Sequence, residues 1–272
     1  MPPERPFERL LKRDRAITLA GLALLCALAW LYLVQGAGMG MTAREMTTLS
    51  LFPHRSGAAP MAPPPWSPGV WVLVAGMWWA MMVAMMAPSA APAILLYARV
   101  HRTALDEGQA NARLAPTGAF AAGYLLVWLG FSILAAALQW RLEGAGLLSA
   151  MAMGSQSRWL SAGVLIAVGL YQFSPVKQAC LAHCRAPGAF LAHHWRPGLP
   201  GALRLGGLHG VYCLGCCWML MALLFVGGVM NLVWIAALSL LVLAEKAFPR
   251  GPLVGHLSGV VLVAWGLATL LS

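Results

Sequence analysis

Three cysteines fall within five positions of an apolar run: GVYCLGCCWMLM, residues 210–221, carries Cys213, Cys216 and Cys217. Wound as a helix at 100° per residue, His209, Cys213 and Cys217 climb one face in steps of four. Cys216 stands beside them, and Met221 continues the line one turn later. A strand would scatter the same residues over two faces. Imidazole, thiol and thioether are donors for a soft or borderline cation: Cu(I) suits the Cys/Met mixture and Zn(II) the Cys/His subset. Cysteine also packs as a small apolar residue. Gly206, Gly207, Gly210 and Gly215 would let a neighbouring helix come close, so packing is the competing explanation. Three thiols beside His209 favour a functional cluster.

A second group lies in YQFSPVKQACLAHCRAP, residues 171–187. Pro175 is expected to end or kink the helix before it. Beyond it, Cys180 and Cys184 are spaced i, i+4 with His183 between them, so a short helix would turn both thiols the same way. His193 and His194 follow and read as loop residues. A third group is the methionine run GMWWAMMVAMMAPSAAP, residues 76–92. Met77, Met81 and Met85 share one helical face, and Met82 and Met86 an adjoining one. Thioethers hold Cu(I) weakly and reversibly, although methionine is also an adaptable core filler. Met81 and Met85 are the proposed metal-facing pair. Lone Cys26 reads as packing.

The elements that must position these groups are apolar spans. The first runs from Ala16 to Val34 and reads as an uncleaved helix rather than a signal peptide. Six more follow at approximately 70–98, 117–138, 159–174, 206–227, 229–245 and 254–271. The fourth and sixth of the seven are short, and GGVMN at 227–231 predicts a tight turn between the fifth and sixth. Backbone polar groups in a bilayer must be paired internally, so these spans are expected to be helices. The expected fold is all-α: a polytopic transmembrane bundle of about seven helices. With the N-terminus inside, inner segments hold 14 of the 18 Lys and Arg residues, which predicts N-in and C-out.

Three regions follow: a basic segment with the first span (1–34), a Met- and Pro-rich external loop (35–69) and a six-helix core with the Cys and Met motifs (70–272). The loop is expected to be irregular or partly extended. Its Met39, Met41, Met46, Met61 and His54 could catch a soft metal, but an unstructured loop is the simpler reading. Near the inner interface, Glu245 requires a partner, with Lys177 and Lys246 in reach, or a proton-accepting role; snorkelling is the alternative.

Composition agrees with a membrane protein. Of the 272 residues, 60% are hydrophobic and 10% charged, which excludes a soluble domain of ordinary surface. The net charge of +10 is explained by loop topology and calls for no nucleic acid. There is no nucleotide-binding loop, no dinucleotide fingerprint and no hydrolase triad pattern. Five of the six cysteines fall in or near the inner half, where thiols stay reduced and available to metal.

Taken together, MWWAMMVAMMAP (77–88), YQFSPVKQACLAHCRAP (171–187), GVYCLGCCWMLM (210–221) and LAEKAFPRG (243–251) resemble an uncharacterised bacterial family of integral membrane proteins with a proposed metal-binding role. The resemblance covers about residues 70–272. It implies a multi-helix membrane fold and a metal role, and it brings no substrate or reaction.

Three functions fit. The favoured one is a soft-metal protein of the inner (cytoplasmic) membrane, with copper as the metal. It would act in metal handling, transfer or assembly of another membrane protein, and its partners would be the lipid bilayer and a metal chaperone or metalloenzyme client. Its expected ligands are Cys180, Cys184, Cys213, Cys216, Cys217, His183, His209, Met81 and Met85. The second is a membrane thiol–disulfide oxidoreductase using the C-x-x-C spacing of Cys213 and Cys216; embedding in a helix and the surplus Cys217 argue against it. The third is a structural subunit of a membrane complex. Whether the protein is an enzyme is left open by the sequence.

Overall fold

A computed structural model describes residues 6–51, 66–106 and 115–271. Met61 and His54 of the first loop lie outside them. The described chain is a bundle of helices: α1 (Pro6–Val34), α2 (Ala43–Leu51), α3 (Pro68–Asp106), α4 (Ala115–Gly144), α5 (Arg158–Tyr171), α6 (Pro175–Arg185), α7 (Pro187–His194), α8 (Gly198–Ala222), α9 (Leu224–Gly227), α10 (Leu232–Ala247) and α11 (Gly251–Leu271).

Five helices are long and apolar enough to cross a membrane, over Arg15–Val34, Pro68–Thr103, Pro116–Gly144, Gly198–Gly227 and Gly251–Leu271. A sixth crossing is available if α5 and α6, bent by 61° at their junction, count as one broken span. The expected seventh, α10, has 16 residues. At 1.5 Å per residue it reaches about 24 Å, short of the ~30 Å hydrocarbon core. The all-α membrane bundle thus stands, with fewer full-length spans than apolar runs.

The first loop departs from the expectation of irregular chain, because α2 forms within it. Its start carries the T-x-x-E capping box. Glu45 accepts from the Thr42 N–H at 2.8 Å, and the Thr42 hydroxyl accepts from the Glu45 N–H at 3.3 Å. These bonds hold the Glu45 carboxyl below its ordinary range. Thr47 on α2 then accepts from the otherwise unpaired Leu232 N–H at the first turn of α10, at 3.0 Å.

Four helices build the core around the motifs. α8 lies along α4, with α3 against α4 on one side and α6 against α8 on the other. The α4–α8 approach depends on Gly206, where a Cβ would collide with the Phe120 backbone. α3 runs through Pro88 and Pro92 as one helix. Pro88 has no N–H, so the Ala84 carbonyl loses its intrahelical donor. The Cys26 thiol of α1 donates to that carbonyl at 3.7 Å, giving this cysteine a helix-repair role. At the α5–α6 bend, Ser174 caps α6 by accepting from the Val176 N–H, and Pro175 occupies the first turn. The expected turn at 227–231 is present: Gly228 has φ of +93°, and the Asn231 side chain caps α10.

Candidate metal centre

α8 presents Cys213, Cys216 and Cys217 to the protein interior, each 1% exposed. His209, one turn earlier, is buried on the same helix. The cluster takes its character from what other helices bring to it.

α6 brings Cys184, close enough to Cys213 and Cys216 for its thiol to interact with both. The i, i+4 spacing turns Cys180 toward α8 as well. Its sulfur packs on Gly215, where a Cβ would stand 2.6 Å from the Cys180 Sγ, so only glycine leaves room for it. Tyr171, at the end of α5, donates to the Gly215 carbonyl at 2.6 Å and pins this stretch of α8. α3 brings a thioether: the Cys217 Sγ is 3.9 Å from the Met86 Sδ. α4 brings Tyr124, whose hydroxyl stands 3.1 Å from the Cys213 Sγ and donates to the Met86 carbonyl at 3.3 Å. α10 brings Lys246, which donates to the Cys213 Sγ at 3.0 Å and to the Ser89 hydroxyl at 3.1 Å.

Cys184, Cys213, Cys216 and Cys217 therefore come together, with Cys180 beside them. Met81 and Met85 are fully buried in α3. The thioether that meets a thiol belongs to Met86, one position further on, on the adjoining face. His183 is held away from the cluster: its ring stacks on Tyr212, with centroids 4.2 Å apart, and its Nδ1–H donates to the Ala179 carbonyl at 2.8 Å. His209 lies among Phe120, Tyr124 and Phe190, with ring centroids 5.6–6.1 Å away. Its buried Nδ1 has no hydrogen-bond partner among the described residues. Such an orphan atom costs about 1–3 kcal/mol unless something satisfies it.

Tyr124, Ser89 and Met86 are the residues that the sequence did not assign to the site. A lone phenol in an apolar span is a weak signal, and Ser89 is one of many small residues in its helix.

Among the described residues, no three His, Cys, Asp or Glu side chains already stand in metal-holding geometry. The reason is local. The Cys216 and Cys217 thiols both turn back to donate to the Cys213 carbonyl, each at 3.0 Å. Releasing either costs one weak S–H···O bond, of order 1 kcal/mol or less, and a change of rotamer. All six cysteines are free thiols. The donor set is sulfur-rich, with one unpartnered imidazole nitrogen beside it, which fits a soft monovalent cation.

The charged residues sort cleanly. Lys177 donates to both Glu245 oxygens, at 2.9 and 2.7 Å, and to the Gln172 side-chain carbonyl. Lys177 and Glu245 are each 1% exposed, so this is a buried ion pair and not snorkelling. Arg185 closes the same junction by donating to the Glu245 and Pro249 carbonyls, each at 2.8 Å.

The family model PpoB2, copper chaperone, matches residues 75–269. That stretch contains every residue of the cluster. No curated protein and no solved structure matches the chain.

Proposed function

The chain therefore belongs to the PpoB2 copper chaperone family, and from that premise we propose that it is a membrane-embedded Cu(I) chaperone that loads another metalloprotein. The observation that carries this reading is the convergence of sulfur from three helices: Cys184 on α6, Cys213, Cys216 and Cys217 on α8, and Met86 on α3. Copper is the cargo. Thiolates bind Cu(I) firmly and thioethers weakly, so a ladder that runs from thiols to a thioether can hold the ion and release it.

The residues divide the work by place. Cys180 and Cys184 lie on the short helix beyond the bend, beside basic residues that the charge bias assigns to the inner face of the cytoplasmic membrane. They receive the ion there. Cys213 and Cys216 hold it with Cys184, after Cys216 gives up its bond to the Cys213 carbonyl. Cys217 and Met86 lead toward α3, and the unpartnered His209 Nδ1 offers a neutral donor next to Cys213. Handover goes to a client metalloprotein or a second metal chaperone.

The test is anaerobic loading of the detergent-purified full chain with Cu(I) against a chromogenic chelator, with free thiols counted before and after. Wild-type protein is expected to retain Cu(I) and lose accessible thiols in step. Cys213→Ser and Cys216→Ser should each weaken retention roughly tenfold or more, about 1.4 kcal/mol. Wild-type protein that holds no Cu(I), or that cycles a disulfide without metal, would overturn the reading.

A further inference from the structure

Lys246 is an ammonium with no carboxylate in its contacts. Its two bonding partners among the described residues are the Cys213 sulfur and the Ser89 hydroxyl. The adjacent acid, Glu245, has both oxygens engaged by Lys177. Consecutive positions on a helix point about 100° apart. The two residues therefore serve different neighbours, and the charge of Lys246 is delivered to the thiols. Its field reaches Cys213, Cys216, Cys184 and Cys217.

We infer that Lys246 is a specificity-determining residue: its fixed positive charge makes the thiol site accept a monovalent cation in preference to a divalent one. This rests on the Cu(I) reading above. Two thiolates carrying one Cu⁺ sum to a charge of −1. The ammonium beside Cys213 brings the buried site to zero. The same two thiolates carrying one Zn²⁺ sum to zero, and the ammonium leaves an uncompensated +1. A net charge in an apolar helical interior is disfavoured strongly. Met86 and neutral His209 add donors without changing the count. Ser89 holds the ammonium from the other side and so keeps it on the thiols.

The test is competition between Cu(I) and Zn(II), each held at a set free concentration by its own chelator. Bound metal on the purified full chain is measured by mass spectrometry. Lys246→Met removes the charge and keeps most of the stem; Lys246→Arg keeps the charge. Ser89→Asp leaves the lysine in place and neutralises it, so the inference does not depend on one variant folding. Lys246→Met and Ser89→Asp should each lower the Cu(I)-over-Zn(II) ratio about tenfold or more, 1.4 kcal/mol or more. Lys246→Arg should stay within a few-fold of wild type. If wild type retains Cu(I) while Lys246→Met or Ser89→Asp, in a variant that folds, keeps the wild-type ratio, Lys246 is not the selector and the chaperone reading stands. If wild type retains no Cu(I), the chaperone reading itself fails.

Discussion

Cys213 is the residue on which the others depend. Its sulfur meets a phenol and an ammonium, and its carbonyl accepts from the next two thiols along the helix. Periodicity placed Cys213 on the right face of its helix, because the four-residue steps from His209 to Cys217 are a property of the chain alone. It could not say which methionine would face that stripe. Five methionines between 77 and 86 cover two faces, and only the rotation of α3 against α8 selects Met86 over Met81 and Met85. Met86→Leu keeps the apolar volume and removes the thioether. It should cost less than about 1.5 kcal/mol in stability. Cu(I) retention against the chelator should nevertheless fall several-fold. Unchanged retention in a stably folded variant would remove Met86 from the ladder.

At the scale of elements, α10 is a strut between the two thiol-bearing helices. Glu245 ties it to Lys177 on α6, and Lys246 ties it to Cys213 on α8. Arg185 adds a second tie to α6. The sequence announced that Glu245 needed a partner and left Lys177 and Lys246 as alternatives, since both are near in a flat reading. The bend between α5 and α6 decides it by turning Lys177 inward. Lys177→Met strands a buried carboxylate and should destabilise the protein by about 3–5 kcal/mol. The double variant Lys177→Met with Glu245→Leu should recover much of that loss, because no charge is then left unpaired. Thermal unfolding in detergent checks both; equal destabilisation of single and double variants would argue against a stranded-charge origin. The capping box of α2 was legible too, as T-x-x-E at 42–45, but lay hidden in a loop judged by its composition.

For the whole molecule, the charge bias of the loops and the position of the cluster make one statement. The segment from α6 to α7 faces the inside. A cysteine introduced at exposed Ala192 on α7 should react with a membrane-impermeant maleimide in inside-out vesicles and be protected in right-side-out ones. The reverse pattern would invert the proposed route of the metal. The buried native cysteines supply the low-labelling background. The span count shows where apolar runs mislead. Residues 229–245 are apolar enough for a crossing, but the Asn231 cap and the end of α10 at Ala247 leave a 16-residue helix packed on α3 and α11.

The chain by itself determined its solvent and its local geometry. Apolar runs of bilayer length demand helices, and i, i+4 spacings set which thiols share a face. Both are short-range consequences of composition and helix pitch. Only the tertiary structure decided which faces meet. The rotation that brings Met86 to Cys217, the bend that brings Cys184 to Cys213, and the division of Lys177 and Lys246 between an acid and a thiol all arise from contacts between residues far apart in sequence. Helical periodicity carries no record of neighbouring helices, so those pairings appear only once close approaches such as Gly206 on Phe120 and Gly215 on Cys180 lock the bundle.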